Sequence, residues 1–66
     1  MSNVITYKFW VDGKCHEVNS VQGMGGAMEY MNRSKTMIDY FEKHGNFGWF
    51  DRGENSWYAS PIGVWD

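Results

Sequence analysis

Polar and apolar residues alternate along the first twenty positions of the chain, which is the pattern of a strand with one buried side. Within 4–20, two such runs flank Asp12-Gly13, a dipeptide typical of the type I′ hairpin turn, in which both central residues have a positive φ. The turn sets the register of the two strands, so that Lys8 lies opposite Glu17 on a polar side. The pattern predicts a hairpin whose other side is apolar and contains Ile5, Tyr7, Phe9, Val11 and Val18.

One large apolar residue breaks this alternation. Trp10 lies on the polar side of the predicted hairpin, opposite Cys15. Either the C-terminal segment of the chain covers this ring, or the ring is exposed and serves as an anchor for a partner. The sequence leaves both interpretations open.

Helical periodicity replaces the alternation over 24–44, where apolar residues recur three and four positions apart. Gly45, which follows a lysine and a histidine, is typical of the residue after the end of a helix. The pattern predicts one helix over 24–44, with a buried stripe that contains Met24, Ala27, Met31, Ser34, Ile38 and Phe41. A break near Asn32–Ser34, with Ser34 capping a second helix, is the alternative.

The segment 47–59 is the most aromatic part of the chain and predicts a second hairpin. A turn over 52–55, Arg52-Gly53-Glu54-Asn55, contains the residue types that favour turns. It predicts two facing pairs, Phe50 with Trp57 and Trp49 with Tyr58. Both sides of this hairpin are then aromatic, so one pair enters the core and the other points outward.

The order of these segments predicts the α+β class, with one antiparallel sheet packed on a single amphipathic helix in the order β-β-α-β-β. We expect one domain over 1–66, made of the hairpin 4–20, the helix 24–44 and an aromatic hairpin with a tail over 47–66. The Ser60-Pro61 step interrupts the last strand pattern. The residues after it form either a short edge strand or an extended tail, and the sequence does not decide whether Trp65 belongs to the core.

Composition narrows the classes of partner and compartment. A chain of 66 residues with one cysteine, Cys15, cannot form an internal disulfide, so self-association into a homodimer is a possible source of extra stability. The net charge is −2 and no two basic residues are adjacent, so we do not expect duplex nucleic acid as a partner. With no signal-like N-terminus, no long apolar run and one free thiol, we expect a cytoplasmic protein that does not enter membranes.

No arrangement of residues predicts catalysis, a metal site or a cofactor. Cys15 and His16 are neighbours on one strand and point to opposite faces, so they cannot act as nucleophile and base. His44 lies at the predicted helix end, where a cation is favoured by the helix dipole. The glycines over 23–26 lack the lysine and hydroxyl residue of a phosphate-binding loop. We therefore expect neither an enzyme nor a cofactor-binding protein.

The excess of aromatic residues predicts a contact surface, because a domain of this size buries only about 60% of the surface of its unfolded chain. The expected anchors for a partner are Trp10, Trp49, Arg52, Trp57 and Tyr58. We expect one of Trp49 and Trp57 to lie in the core and the other to be exposed.

The resulting hypothesis is a small non-catalytic protein-binding module that inhibits or regulates a larger intracellular partner. Modulators that phages direct against host or defence systems are one such class. The alternative is a protein that binds single-stranded nucleic acid or nucleotides by aromatic stacking. A structural homodimer subunit is the third possibility.

Overall fold

The computed structural model describes residues 3–62, which form four strands and two helices. The strands are β1 (Ile5–Val11), β2 (Lys14–Ser20), β3 (Phe47–Gly53) and β4 (Ser56–Pro61). The helices, α1 (Gly23–Asn32) and α2 (Lys35–His44), separate the two hairpins. The predicted α+β class is confirmed, with two helices in place of one. Within 3–62, neither helix is long and apolar enough to cross a bilayer.

The four strands form one sheet in the order β2-β1-β4-β3. Strand β1 pairs antiparallel with β2, and β3 pairs antiparallel with β4, whereas β1 and β4 are parallel neighbours at the centre of the sheet. The sheet is therefore mixed, and the expectation of a purely antiparallel sheet is wrong at this junction. Turn residues specify the pairing within each hairpin, but the direction in which the hairpins meet depends on the path of the helices between them.

The first hairpin has the predicted register. Asp12 and Gly13 form the turn with φ values of 51° and 82°, and Lys8 lies opposite Glu17. The side chains of β1 at positions 7, 9 and 11 are buried, Lys8 is exposed and Trp10 is half-buried. Ile5, which was also predicted for the apolar side, is exposed at the start of the strand. The Asp-Gly signal was sufficient here because the turn geometry and the side-chain alternation favour the same register.

The helical segment is divided at Ser34, so the single helix predicted over 24–44 is wrong and the alternative is correct. The Ser34 backbone is extended, with φ −71° and ψ 155°. Its Oγ accepts a hydrogen bond from the Met37 N–H at 3.3 Å and donates one to the Met31 carbonyl at 2.6 Å. Ser34 thus caps the start of α2 and also satisfies a carbonyl at the end of α1.

This break changes which helical side chains reach the core. Ala27 and Met31 of α1 and Met37 and Tyr40 of α2 are buried. Three members of the predicted stripe are instead exposed: Met24, Ile38 and Phe41. A continuous helix would have kept positions 31, 38 and 41 on one side, but the non-helical Ser34 rotates α2 relative to α1.

The core centres on β1 and lies between the helices and one face of the sheet. Phe9 is 0% exposed. Its ring centroid lies 5.2 Å from that of Trp49 and 5.7 Å from that of Trp57. The other buried residues of the core are Tyr7, Val11, Val18, Ala27, Met31, Met37 and Tyr40. Aromatic packing of this kind stabilises the domain where a disulfide is absent.

The second hairpin differs from its predicted register. Its turn is at Glu54-Asn55, with Asn55 at φ 54°. Phe50 lies opposite Tyr58, and Trp49 lies opposite Ala59, so both predicted facing pairs are wrong. A β-bulge between Asp51 and Gly53 inserts Arg52 as an extra residue of β3. A bulge has no reliable local signal, so the sequence predicted a turn that is wider than the real one.

Strand β4 continues through Pro61, which lies opposite Phe47. Its pairing with β1 covers only Ser56, Trp57 and Tyr58. Pro61 therefore lies beyond the part of β4 that needs hydrogen-bonding partners on both sides. The proposed edge strand or tail over 62–65, including Trp65, lies outside the described residues after Ile62.

Replacing the cap of α2 should destabilise the domain measurably. We expect Ser34→Ala to lower the free energy of unfolding by about 1 kcal/mol, because the Met37 N–H loses its side-chain acceptor and the Met31 carbonyl loses the hydroxyl donor. Urea unfolding followed by circular dichroism measures this. Ser34→Thr keeps the hydroxyl and is the control. Equal stability of the alanine and threonine variants would contradict the capping role.

Stability should also fall at alkaline pH through Tyr40. Burial, and secondarily the negative charge of Asp12, raises the pKa of the Tyr40 phenol above its ordinary value. A raised folded-state pKa contributes stability that is complete below the unfolded value of about 10 and is lost as pH rises through the folded value.

We therefore expect the wild-type chain to lose more stability than Tyr40→Phe as the pH rises above about 10. The midpoint of urea unfolding at several pH values gives the comparison. Tyr30→Phe removes a hydroxyl from an exposed tyrosine of α1 and is the control. Parallel pH curves for wild type and Tyr40→Phe would argue against this coupling.

Candidate functional site

The two faces of the sheet differ because the helices pack on only one of them. Trp49 Nε1 donates a hydrogen bond to Asn32 Oδ1 of α1 at 2.7 Å. The rings of Phe47 and Tyr40 of α2 meet edge to face at 5.5 Å. The opposite face, called the outer face below, carries Thr6, Lys8, Trp10, Cys15, Glu17, Asn19, Phe50, Arg52, Ser56, Tyr58 and Ser60.

Three aromatic side chains form a row across the outer face. Trp10 of β1 lies beside Tyr58 of β4, and Tyr58 lies opposite Phe50 of β3. The rings of Phe50 and Tyr58 stack with their centroids 5.4 Å apart. Tyr58 is 38% exposed, and Trp10 and Phe50 are half-buried. The solvent face of such a sheet is ordinarily polar, so an aromatic row there requires an explanation.

Arg52 extends this row and is positioned by the β-bulge. The extra residue in β3 allows its side chain to cross β4, and its guanidinium carbon lies 4.2 Å from the centroid of the Trp10 ring. Asp51 Oδ1 accepts a hydrogen bond from the Gly53 N–H at 3.1 Å across the bulge. Bulges commonly redirect a side chain in this way.

An open groove of about 400 Å³ lies at the Trp10 end of the row. Its lining residues are Trp10, Asp12, Gly13, Arg52, Tyr58 and Ala59. It is at the small end of the range for ligand pockets. We refer to it as the Trp10–Tyr58 groove.

The five predicted anchors divide between the two faces. Trp10, Arg52 and Tyr58 come together on the outer face. Trp49 and Trp57 lie on the helix side, where both rings contact Phe9. The expectation that one of these two tryptophans is exposed is therefore wrong, because both pack against the core.

Sequence reasoning did not include Phe50 among the anchors. The wider predicted turn paired it with Trp57, which hid its place beside Tyr58. The same segment is also compatible with a two-residue turn at Glu54-Asn55. That turn alone does not give the correct facing pairs, because the β-bulge shifts the register by one residue.

The histidines and the cysteine are not assembled into a reactive site. His44 Nε2 lies 3.4 Å from Asp12 Oδ1, and its ring packs on Tyr40 with the centroids 4.5 Å apart. Lys43 Nζ lies 4.0 Å from the same carboxylate, so these contacts join the end of α2 to the first hairpin turn. Cys15 is a free, exposed thiol. Among residues 3–62, no three His, Cys, Asp or Glu side chains are grouped so as to hold a metal ion.

Comparison of the chain with protein-family models, curated proteins and solved structures finds no match. Function has to be inferred from the geometry of the molecule. The outer face provides the clearest starting point, because it combines an aromatic row, a stacked arginine and a groove.

Two adjacent residues of β4 provide a direct test of the two faces. We expect Trp57→Ala to cost about 3 kcal/mol or more, because its ring contacts both Tyr7 and Phe9 in the core. Tyr58→Ala should cost about 1 kcal/mol, the value of a partly exposed stacked pair. Thermal and urea unfolding measure both. Comparable losses for the two variants would mean that Tyr58 also supports the core.

Proposed function

We propose that this chain is a non-catalytic protein-binding module and that its outer face is the contact surface. Such a module acts by occupying a surface of a larger protein, which is the behaviour of an inhibitor or regulator. The observation that carries the proposal is the row of Trp10, Tyr58 and Phe50, with Arg52 stacked at its end, on the face without a helix.

The residue types of this row support a protein partner. Trp, Tyr and Arg dominate the binding energy of protein interfaces, because they combine a large apolar area with specific polar contacts. The surrounding positions of the outer face are polar: Thr6 donates a hydrogen bond to Asn19 at 2.7 Å, and Lys8 lies opposite Glu17. An aromatic centre with a polar periphery is the usual composition of such an interface.

The surface is also held in place before a partner binds. Trp10, Tyr58 and Phe50 come from three neighbouring strands of one sheet. The Phe50–Tyr58 stack and the Arg52–Trp10 contact further restrict the side chains. Binding therefore needs little additional ordering of these groups, which reduces the entropic cost of association.

The row itself favours a second candidate function, the binding of single-stranded nucleic acid by base stacking. Rings on neighbouring strands of a sheet can stack successive bases. The charges argue for a protein instead. Lys8 and Arg52 are the cations of the outer face as described. Glu17 lies opposite Lys8 on β2, and Asp12 lines the groove together with Arg52. A backbone of phosphates needs a continuous basic track.

Affinity capture with matched variants tests the proposal. The tagged chain and its Tyr58→Ala and Trp10→Ala variants are used to capture proteins from the cells in which the chain naturally functions. Any captured protein is then purified and titrated. We expect each variant to weaken its affinity by about 1–2 kcal/mol, which is about 5- to 30-fold.

Tyr30→Ala is the matched control, because Tyr30 is an exposed tyrosine on α1, with 67% of its surface accessible. It should bind as wild type does. A partner that is lost with Tyr30→Ala and retained with Tyr58→Ala would place the contact surface on the helices.

Nucleic-acid binding and homodimer formation can be tested with the same protein samples, and each predicts a different result. Quenching of tryptophan fluorescence by mixed single-stranded DNA, declining as salt rises, would favour the nucleic-acid function. A solution mass of twice the monomer that returns to one monomer in Tyr58→Ala would favour a homodimer that uses the outer face.

A further inference from the structure

The Arg52 guanidinium is held in a way that leaves its hydrogen-bonding groups available. It packs with its carbon 4.2 Å from the Trp10 ring centroid. A guanidinium that stacks on a ring uses its flat face, and its five N–H donors lie in its plane. The Arg52 side chain makes no hydrogen bond or ion pair among residues 3–62, so its donors remain available.

Arg52 also has no anionic partner within the described part of the chain. The ion pairs among residues 3–62 are Arg33–Glu29 and the contacts of Asp12 with Lys43 and His44. The other cation of the outer face, Lys8, lies opposite Glu17 in the register but is not in ion-pair contact with it. The outer face thus presents two exposed cations that no described carboxylate neutralises.

Arg52 adjoins a recess between two aromatic rings. Arg52 lines the Trp10–Tyr58 groove together with the two rings after which it is named. A volume of about 400 Å³ accommodates a side chain rather than a folded element. The groove therefore combines a site for one apolar side chain with a fixed cation at its edge.

We propose that the Trp10–Tyr58 groove binds an acidic peptide segment of the partner, in which an aliphatic or aromatic side chain lies within three residues of an Asp or Glu. The apolar side chain enters the groove between the two rings. The carboxylate accepts paired hydrogen bonds from Arg52, a geometry that lysine cannot reproduce. This inference rests on the proposed protein-binding function.

A peptide carboxylate fits the charges better than a run of phosphates does. Asp12 lines the same groove, so a phosphate chain that follows the groove would approach a carboxylate. One carboxylate placed at Arg52 avoids this repulsion. The exposed guanidinium of Arg52, which has no ion pair among residues 3–62, then complements a short acidic segment.

Peptide selection tests this inference directly. A phage-displayed library of random dodecapeptides is selected on the immobilised wild-type chain, and enriched peptides are synthesised with a fluorescent label. We expect enrichment of Asp or Glu within three positions of a large apolar residue. Replacing that acid by its amide should weaken binding at least 10-fold by fluorescence anisotropy.

Substitutions at Arg52 complete a double-mutant cycle. Arg52→Gln should weaken binding of the acidic peptide at least 10-fold and should not weaken the amide peptide further. Arg52→Lys should restore only part of the loss, because lysine lacks the paired donors. Arg33→Gln is the matched control, since Arg33 is an exposed arginine already paired with Glu29 at 2.8 Å, and it should change affinity less than twofold.

Each remaining outcome overturns the inference in a distinguishable way. Some peptides could lose affinity with Tyr58→Ala and yet contain no enriched acid, or bind Arg52→Gln as tightly as wild type. Either result would support the protein-binding function but contradict recognition of a carboxylate by Arg52. The absence of any peptide sensitive to Tyr58→Ala would remove both. A twelve-residue oligothymidylate that binds more tightly than the peptides, and loses affinity with Arg52→Gln, would assign the groove to nucleic acid.

Discussion

The parallel pairing of β1 with β4 is the constraint on which the rest of this molecule depends. It is short, covering Lys8 with Ser56, Phe9 with Trp57 and Trp10 with Tyr58, and the Lys8 N–H donates a hydrogen bond to the Asn55 carbonyl at 2.9 Å. The second and third of these pairs lie on opposite faces of the sheet. Phe9 and Trp57 stack in the core, and Trp10 and Tyr58 begin the outer row. A shift of one residue would exchange these two roles.

The helical layer is shaped by a small number of polar contacts at its ends. Ser34 divides the layer and sets the rotation of α2, which buries Met37 and Tyr40. At the other end of α2, His44 Nε2 lies 3.4 Å and Lys43 Nζ lies 4.0 Å from the carboxylate oxygens of Asp12. The same Asp12 has the positive φ of the hairpin turn. One turn residue thus links the first hairpin to the helices.

The aromatic rings form two groups: those on the helix side stabilise the fold, and those on the outer face form the proposed contact surface. On the helix side the rings of Trp49 and Trp57 both pack against Phe9, and a domain without a disulfide depends on such packing for a margin of about 3–5 kcal/mol. The rings of the outer face add less to stability because they remain partly exposed. Their arrangement around Arg52 is better explained by contact with another molecule, and the proposals above follow from that difference.

The sequence by itself determined the features that local chemistry controls. Asp12-Gly13 fixed the first hairpin and its register, and alternation placed Trp10 on the side opposite Phe9. Ser34 was identified as a possible cap because its residue type favours that position. Three of the five predicted anchors, Trp10, Arg52 and Tyr58, lie together on the outer face.

Only the tertiary structure decided the features that depend on distant segments. The parallel direction of the central pair has no local signal, since it is set by how two helices return the chain to the sheet. The bulge at Arg52 changed the facing pairs of the second hairpin and brought Phe50 beside Tyr58. Trp49 and Trp57 lie on the helix side because β4 pairs with β1, and β3 pairs with β4, in these registers. Their packing against Phe9 follows from that pairing.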